Sequence, residues 1–239
     1  MVYIPDVVDL DTAFVQYFSG GNAGEDYLWY YGVYEYFDEY SPNAVVMFTS
    51  DSSCTYIQQR IAFQWDILSQ IAQECGTIVH NVSSIASSQG AYTAMQLAYD
   101  FYVDYDIPVA RCVTLDTGCD WSLDYLALTF DQCAVLAEAG TEFYLFEDHN
   151  FRNEIWYPAM QNIIYSDLEV HAYVCKCDNH DSISKNAYTL GFFSFCAGED
   201  IEFPACEYCK VELYPEMADL GEFIWPPRPE SETRLIYGS

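Results

Sequence analysis

Basic side chains are scarce in this sequence. Lys and Arg together number 8 in 239 residues, against 37 Asp and Glu, for a formal net charge of −29. A surface of that sign repels phosphate backbones and anionic headgroups, so neither nucleic acid nor a membrane surface is an expected partner. It suits solubility, a salty medium, cations or a basic partner surface instead. Histidine is rarer still, with 4 in the chain. Long apolar runs are also missing, and no stretch approaches the ~20 residues of a membrane-spanning helix. The first residues, Met1-Val2-Tyr3-Ile4-Pro5-Asp6, have no basic start and no long apolar centre. No signal peptide is therefore expected, and the compartment expected is cytoplasmic.

Apolar residues are not scarce: they make up 51% of the chain, enough for a real core. Aromatics are abundant, with 22 Tyr, 15 Phe and 5 Trp. Tyr interleaved with acid, as in Glu25 to Tyr40, is a composition of contact surfaces, because Tyr offers area at low entropy cost. The 10 Cys, with no signal peptide expected, read as reduced thiols rather than a disulfide scaffold. Cys175, Cys177, His180, Cys206 and Cys209 also offer enough ligands for a zinc site, with buried free thiols as the simpler reading.

From Ala44 to Gly198 the sequence alternates between β-prone and helix-prone stretches. Ala44–Thr49 is a continuous apolar run of the kind buried on both faces of a parallel sheet. An amphipathic helix is expected from about Tyr56 to Glu74, stopped by Cys75-Gly76. A strand over Thr77–Val82 and a turn at Ser88 follow, then a helix to about Asp104. Further strands are expected at Val109–Leu115, Glu142–Phe146 and Glu169–Cys175, and a helix from about Ser182 to Cys196. This alternation predicts an α/β fold, a doubly wound and mostly parallel sheet with helices on both faces. The expected domain is 1–205, with its core at about 44–198. Residues 206–239 form a last strand and an extended arm, because Pro226, Pro227 and Pro229 exclude helix and central strand.

In such a sheet, the C-terminal ends of the strands share one edge, and ligand sites lie there. Ser50, Ser88, Asp116, Asp148 and His180 each follow a strand and converge on that edge. Ser88 sits in Ala86-Ser87-Ser88-Gln89-Gly90, a small-x-Ser-x-Gly pattern between a strand and a helix. A serine there is either a turn residue capping the helix or a nucleophile on a strained elbow. As a nucleophile it needs a base, commonly a His oriented by a carboxylate. His180 is the His placed for that role, with His80, His149 and His171 read as structural. Asp148 is the orienting acid, and Glu147 and Asp116 are rivals for that position.

The order Ser88, Asp148, His180, with the Ser on an elbow, resembles the α/β-hydrolase superfamily. The resemblance covers about Ala44 to Gly198. It implies a serine hydrolase, esterase- or lipase-like, that cleaves an ester, thioester or amide without cofactor or metal. Ser88 would be nucleophile, His180 base and then acid, and Asp148 the orienting carboxylate. Gln89 and Ser50 would supply the oxyanion site. The loop after Ala44–Thr49, which in that family often carries His-Gly, reads Ser50-Asp51-Ser52-Ser53 here. A carboxylate beside a developing oxyanion opposes catalysis. The alternative is therefore an inactive hydrolase-fold protein. It would be a structural subunit of a larger homo- or hetero-oligomeric assembly such as a virus particle, holding protein partners through the Tyr- and acid-rich segment and the C-terminal arm.

Overall fold

The computed structural model describes residues 1–20, 37, 39–40, 42–49, 57–117, 126–148, 162–177, 187–199 and 209–210. The side chains at 58, 147–148, 172–177, 187–190 and 209–210 lie outside that description. Eight strands are β1 (Val2–Tyr3), β2 (Ala13–Phe18), β3 (Ala44–Thr49), β4 (Val82–Ser87), β5 (Val109–Leu115), β6 (Glu142–Asp148), β7 (Glu169–Cys177) and β8 (Cys209–Lys210). Four longer helices are α1 (Ile57–Cys75), α2 (Gly90–Tyr105), α3 (Phe130–Ala139) and α4 (Ala187–Cys196).

The strands form one sheet in the order β1-β3-β2-β4-β5-β6-β7-β8. The six from β3 to β7 pair in parallel; β1 and β8 are antiparallel at the two edges. The chain thus crosses over between β2 and β4 to place β3 outside β2. The α/β expectation holds, with two differences in the strands. The sheet reaches back before Ala44, because Ala13-Phe14-Val15-Gln16-Tyr17-Phe18 is wholly buried between β3 and β4. The strand expected at Thr77–Val82 begins instead at Val82. Asn81 turns the chain in the left-handed region, at φ 46°, immediately before it. Ser83 and Ser84 are poor strand formers by composition, yet both are buried in β4. Pairing on both sides, to β2 and β5, outweighs local preference there.

Helices cover both faces. On one, α1, α2 and α3 pack Ile61, Leu68, Met95, Phe101, Cys133 and Leu136 against Phe14, Val45, Val82, Cys112 and Phe143. On the other, Phe192, Phe193 and Cys196 of α4, with Phe37, cover Tyr17, Val46, Phe48, Ile85 and Val113. Each fully buried Phe contributes about 2–3 kcal/mol through area removed from water. α3 starts in a capping box: Thr129 accepts from the Gln132 N–H, and the Gln132 side chain accepts from the Thr129 N–H. It ends at Gly140 in the left-handed region, which only glycine adopts freely. No helix among the described residues is long and apolar enough to cross a membrane.

The acid excess has a local cost on α2. Asp100 lies one turn before Asp104, and burial first, then the Asp104 charge, push its pKa up to about 6. Burial, then Asp104, Asp66 and Asp100, also raise Tyr105. A carboxyl whose folded pKa is raised binds more protons when folded, so its ionisation destabilises the fold as pH rises from about 4 to about 6. Asp100→Asn should therefore leave stability unchanged near pH 4 and raise it above pH 6. The expected gain is on the order of 1 kcal/mol, since solvent screens a half-exposed site. Urea unfolding midpoints at the two pH values measure it.

Candidate active site

The strand ends are built on a repeated device. The N–H of the first residue past a strand donates to the carbonyl at the end of a neighbouring strand. Ser19 donates to Thr49 O at 3.2 Å, Ser88 to Leu115 O at 3.0 Å and Asp116 to Phe146 O at 2.6 Å. Ser19, Ser88 and Asp116 are thereby fixed along the same C-terminal edge.

Ser88 is the strained member of its turn, at φ 52°. A non-glycine residue in this region costs about 1–2 kcal/mol, and such strain collects at functional sites. The helical bonds of α2 start at once, with Ala91 N–H to Ser88 O at 3.1 Å and Tyr92 N–H to Gln89 O at 3.3 Å. The N-cap of α2 is Gln89, whose side chain makes no cap bond. Gln89 is half-buried and αR, which puts its N–H next to Ser88 at the positive end of the helix dipole.

Two glycines allow the close approach that this turn needs. A Cβ on Gly90 would lie 2.6 Å from Phe18 O and 2.7 Å from Ser19 O. A Cβ on Gly20 would lie 2.8 Å from Ser88 Cβ and 3.4 Å from its Oγ. The segment facing Ser88 is therefore Ser19-Gly20, at the end of β2. The sequence reading had put the loop after Ala44–Thr49 in that place, with Ser50 as an oxyanion residue. In the sheet β2 lies between β3 and β4, so the end of β2 is the nearer of the two to Ser88. Ser50 itself lies outside the described residues. Val2 to Tyr40 reads as strand and turn material, and the signal for this segment is the β-prone run Ala13–Phe18 ending directly in Ser19-Gly20-Gly21.

The remaining candidates fall as follows. Asp148 is the last residue of β6, in register with Cys175. Its side chain and that of Glu147 lie outside the description, as do His149 and His180; β7 ends three positions before His180. Asp116 is buried at 1% exposure, and is also left-handed, at φ 49°. It flanks the Ser88 turn from β5. His80 and His171 are elsewhere. His80 bridges the Leu10 and Ile78 carbonyls. His171 stacks on Tyr144 at 4.6 Å and lies 3.2 Å from Glu169.

Sulfur chemistry has little support among the buried thiols. Cys112, Cys133 and Cys196 are free and buried. Burial pushes the Cys112 and Cys133 thiols up to about 12, and raises Cys196 as well. A thiol held neutral is a poor nucleophile and a poor metal ligand. Among the described residues no group of three His, Cys, Asp or Glu could hold a metal. The zinc candidates Cys175, Cys177, His180, Cys206 and Cys209 fall outside the described side chains.

No protein-family model matches the sequence, and a search of curated proteins finds no match. Solved structures do match. An esterase from Rhizomucor miehei superposes with a TM-score of 0.57 at 13% identity, covering 81% of this chain and 76% of that one. The thermostable carboxylesterase EstE1, cloned from a metagenomic library, gives 0.53 at 12% identity, covering 82% and 81%. The type II thioesterase BorB, from the borrelidin biosynthetic cluster, gives 0.51 at 9%, covering 82% and 96%. At such identities the likeness is one of fold. The chain has the α/β-hydrolase fold.

Proposed function

We propose that this chain is a serine acyl hydrolase acting on an ester, thioester or amide. The observation that carries the reading is the backbone of Ser88. It is held left-handed between β4 and α2, with Ser19-Gly20 packed against it. The order of the sheet adds support, since the strands leading to Asp148 and His180 follow on the same side of β4.

In this reading His180 takes the Ser88 Oγ proton as Oγ attacks the acyl carbon. Asp148 orients the imidazole and stabilises its charged form. The negative charge that develops on the carbonyl oxygen is met by the Gln89 N–H and the Gly20 N–H. His180 then gives its proton to the leaving alcohol, thiol or amine as that bond breaks. Water, deprotonated by His180, attacks the Ser88 ester; the acyl–Oγ bond breaks, His180 returns its proton to Oγ, and the acid leaves.

The test is turnover of short-chain aryl esters by the full chain. Hydrolysis with a burst of phenol equal to the enzyme present, lost in His180→Ala, is the expected result. Turnover that survives this substitution, or that a chelator abolishes, would point to different chemistry. A folded protein inert to every acyl substrate would favour the scaffold reading.

A further inference from the structure

The edge of the sheet opposite Ser88 carries apolar side chains that the fold does not use. Val7 is 65% exposed, Leu10 69% and Ile78 66%, and Ile4 is 47% exposed just before them. Single exposed apolar residues are ordinary on a protein surface, but grouped ones are not. Two of these, Leu10 and Ile78, are brought together by one side chain. The His80 ring lies between two main-chain carbonyls, with Nε2 2.6 Å from Leu10 O and Nδ1 2.7 Å from Ile78 O. The turn bearing Leu10 and the segment bearing Ile78 are thus neighbours, although far apart in sequence.

The turn is also rigid. Asp9 N–H donates to Thr12 Oγ1 at 3.0 Å, Asp11 N–H to Asp9 Oδ1 at 3.0 Å, and Thr12 N–H to Asp9 O at 3.2 Å. Asn43 Nδ2 ties Asp11 O to the start of β3 at 3.2 Å, and Val8 packs against the core. A loop held this firmly presents Val7 and Leu10 to water in fixed positions. That lowers the ordering cost of binding a partner there.

Charge decides what the partner is. Asp6, Asp9 and Asp11 alternate with the apolar residues, and Glu74 ends α1 on the way to Ile78. Arg60 is the only Lys or Arg in the sequence before Arg111. A second copy of this chain would bring the same acids to the contact, and a net charge of −29 on each copy opposes the pairing. We infer that Ile4, Val7, Leu10 and Ile78 form a docking surface for a basic, amphipathic segment of a partner protein. Its apolar side chains would cover the patch, and its Lys or Arg would meet Asp6, Asp9 and Asp11. Being on the strands' N-terminal edge, this surface leaves the Ser88 edge open.

The experiment uses the full chain and a synthetic 18-residue amphipathic helix of Leu and Lys, with a Leu and Glu peptide of the same pattern as control. Fluorescence anisotropy should give saturable binding of the Lys peptide only, weakened at 0.5 M salt. Amide shifts in NMR should centre on residues 4–11 and 76–80. Leu10→Ser with Ile78→Ser should weaken binding at least tenfold while the urea midpoint and ester turnover stay unchanged. Leu10→Ser alone, milder for folding, should weaken it several-fold. Absence of Lys-peptide binding, equal binding of the Glu peptide, shifts centred elsewhere, or affinity indifferent to both variants would overturn the inference. So would sedimentation that finds a dimer dissolved by Leu10→Ser, which would make the occupant a second copy.

Discussion

Ser88→Gly should unfold at a higher temperature than the natural chain and hydrolyse no ester. Ser88 holds φ 52°. The left-handed region costs a residue with a Cβ about 1–2 kcal/mol, and glycine adopts it freely. Glycine's greater freedom in the unfolded chain returns part of that gain. The expected net stabilisation is up to about 1 kcal/mol, or a Tm rise of about 2–4 °C at this size. Loss of Oγ should reduce turnover by about a thousandfold or more. Gain in stability with loss of activity is the mark of strain kept for function. Thermal unfolding and ester turnover on the same sample measure both. If Ser88→Gly were destabilising, the left-handed turn would have no claim to stored strain.

Gly90→Ala should act in the opposite sense on stability. The added Cβ would lie 2.6 Å from Phe18 O and 2.7 Å from Ser19 O. Both are backbone atoms, so the methyl cannot be accommodated by a side-chain rotation. Overpacking of this kind costs about 1–3 kcal/mol. The shift also moves Ser19-Gly20 away from Ser88, so turnover should fall by at least about tenfold, by analogy with oxyanion donors whose removal costs more than that. Gly140→Ala serves as the comparison. It is left-handed at φ 76° but has open space around it. It should lose about 1 kcal/mol of stability and no turnover. Denaturant midpoints and kcat for the two variants separate crowding at the elbow from plain backbone strain.

Much of the sheet was legible because its strands are apolar runs bounded by turn residues. Ala44–Thr49 and Val109–Leu115 are strands with the expected bounds. β6 and β7 run two residues further than expected, to Asp148 and Cys177. Parallel pairing to β7 carries β6 on to Asp148, and antiparallel pairing to β8 carries β7 on to Cys177, which local composition does not report. β2 was harder to recognise as central. Its rank in the sheet depends on the crossover that puts β3 outside it, a long-range choice with no local sequence mark. For that reason the sequence points to the Ser50 loop as the neighbour of Ser88, while the segment packed against it is Gly20. β4 lies further along than the β-prone run Thr77–Val82 because burial between two strands holds the polar Ser83 and Ser84 in the sheet. The Ser88 elbow was legible for a better reason. Its small residues, Ala86 and Gly90, are a local steric requirement, and the 2.6 Å approach at Gly90 is what that requirement protects.

The central claim is that Ser88 is an activated nucleophile. Incubating the full chain with a fluorophosphonate and reading the intact mass tests it most directly. The account predicts addition of one phosphonyl group, mapped to Ser88 by peptide mass spectrometry. The addition should be absent in Ser88→Ala and much slower in His180→Ala. A folded protein that gains no mass, or gains it at another residue with Ser88 untouched, would contradict the account.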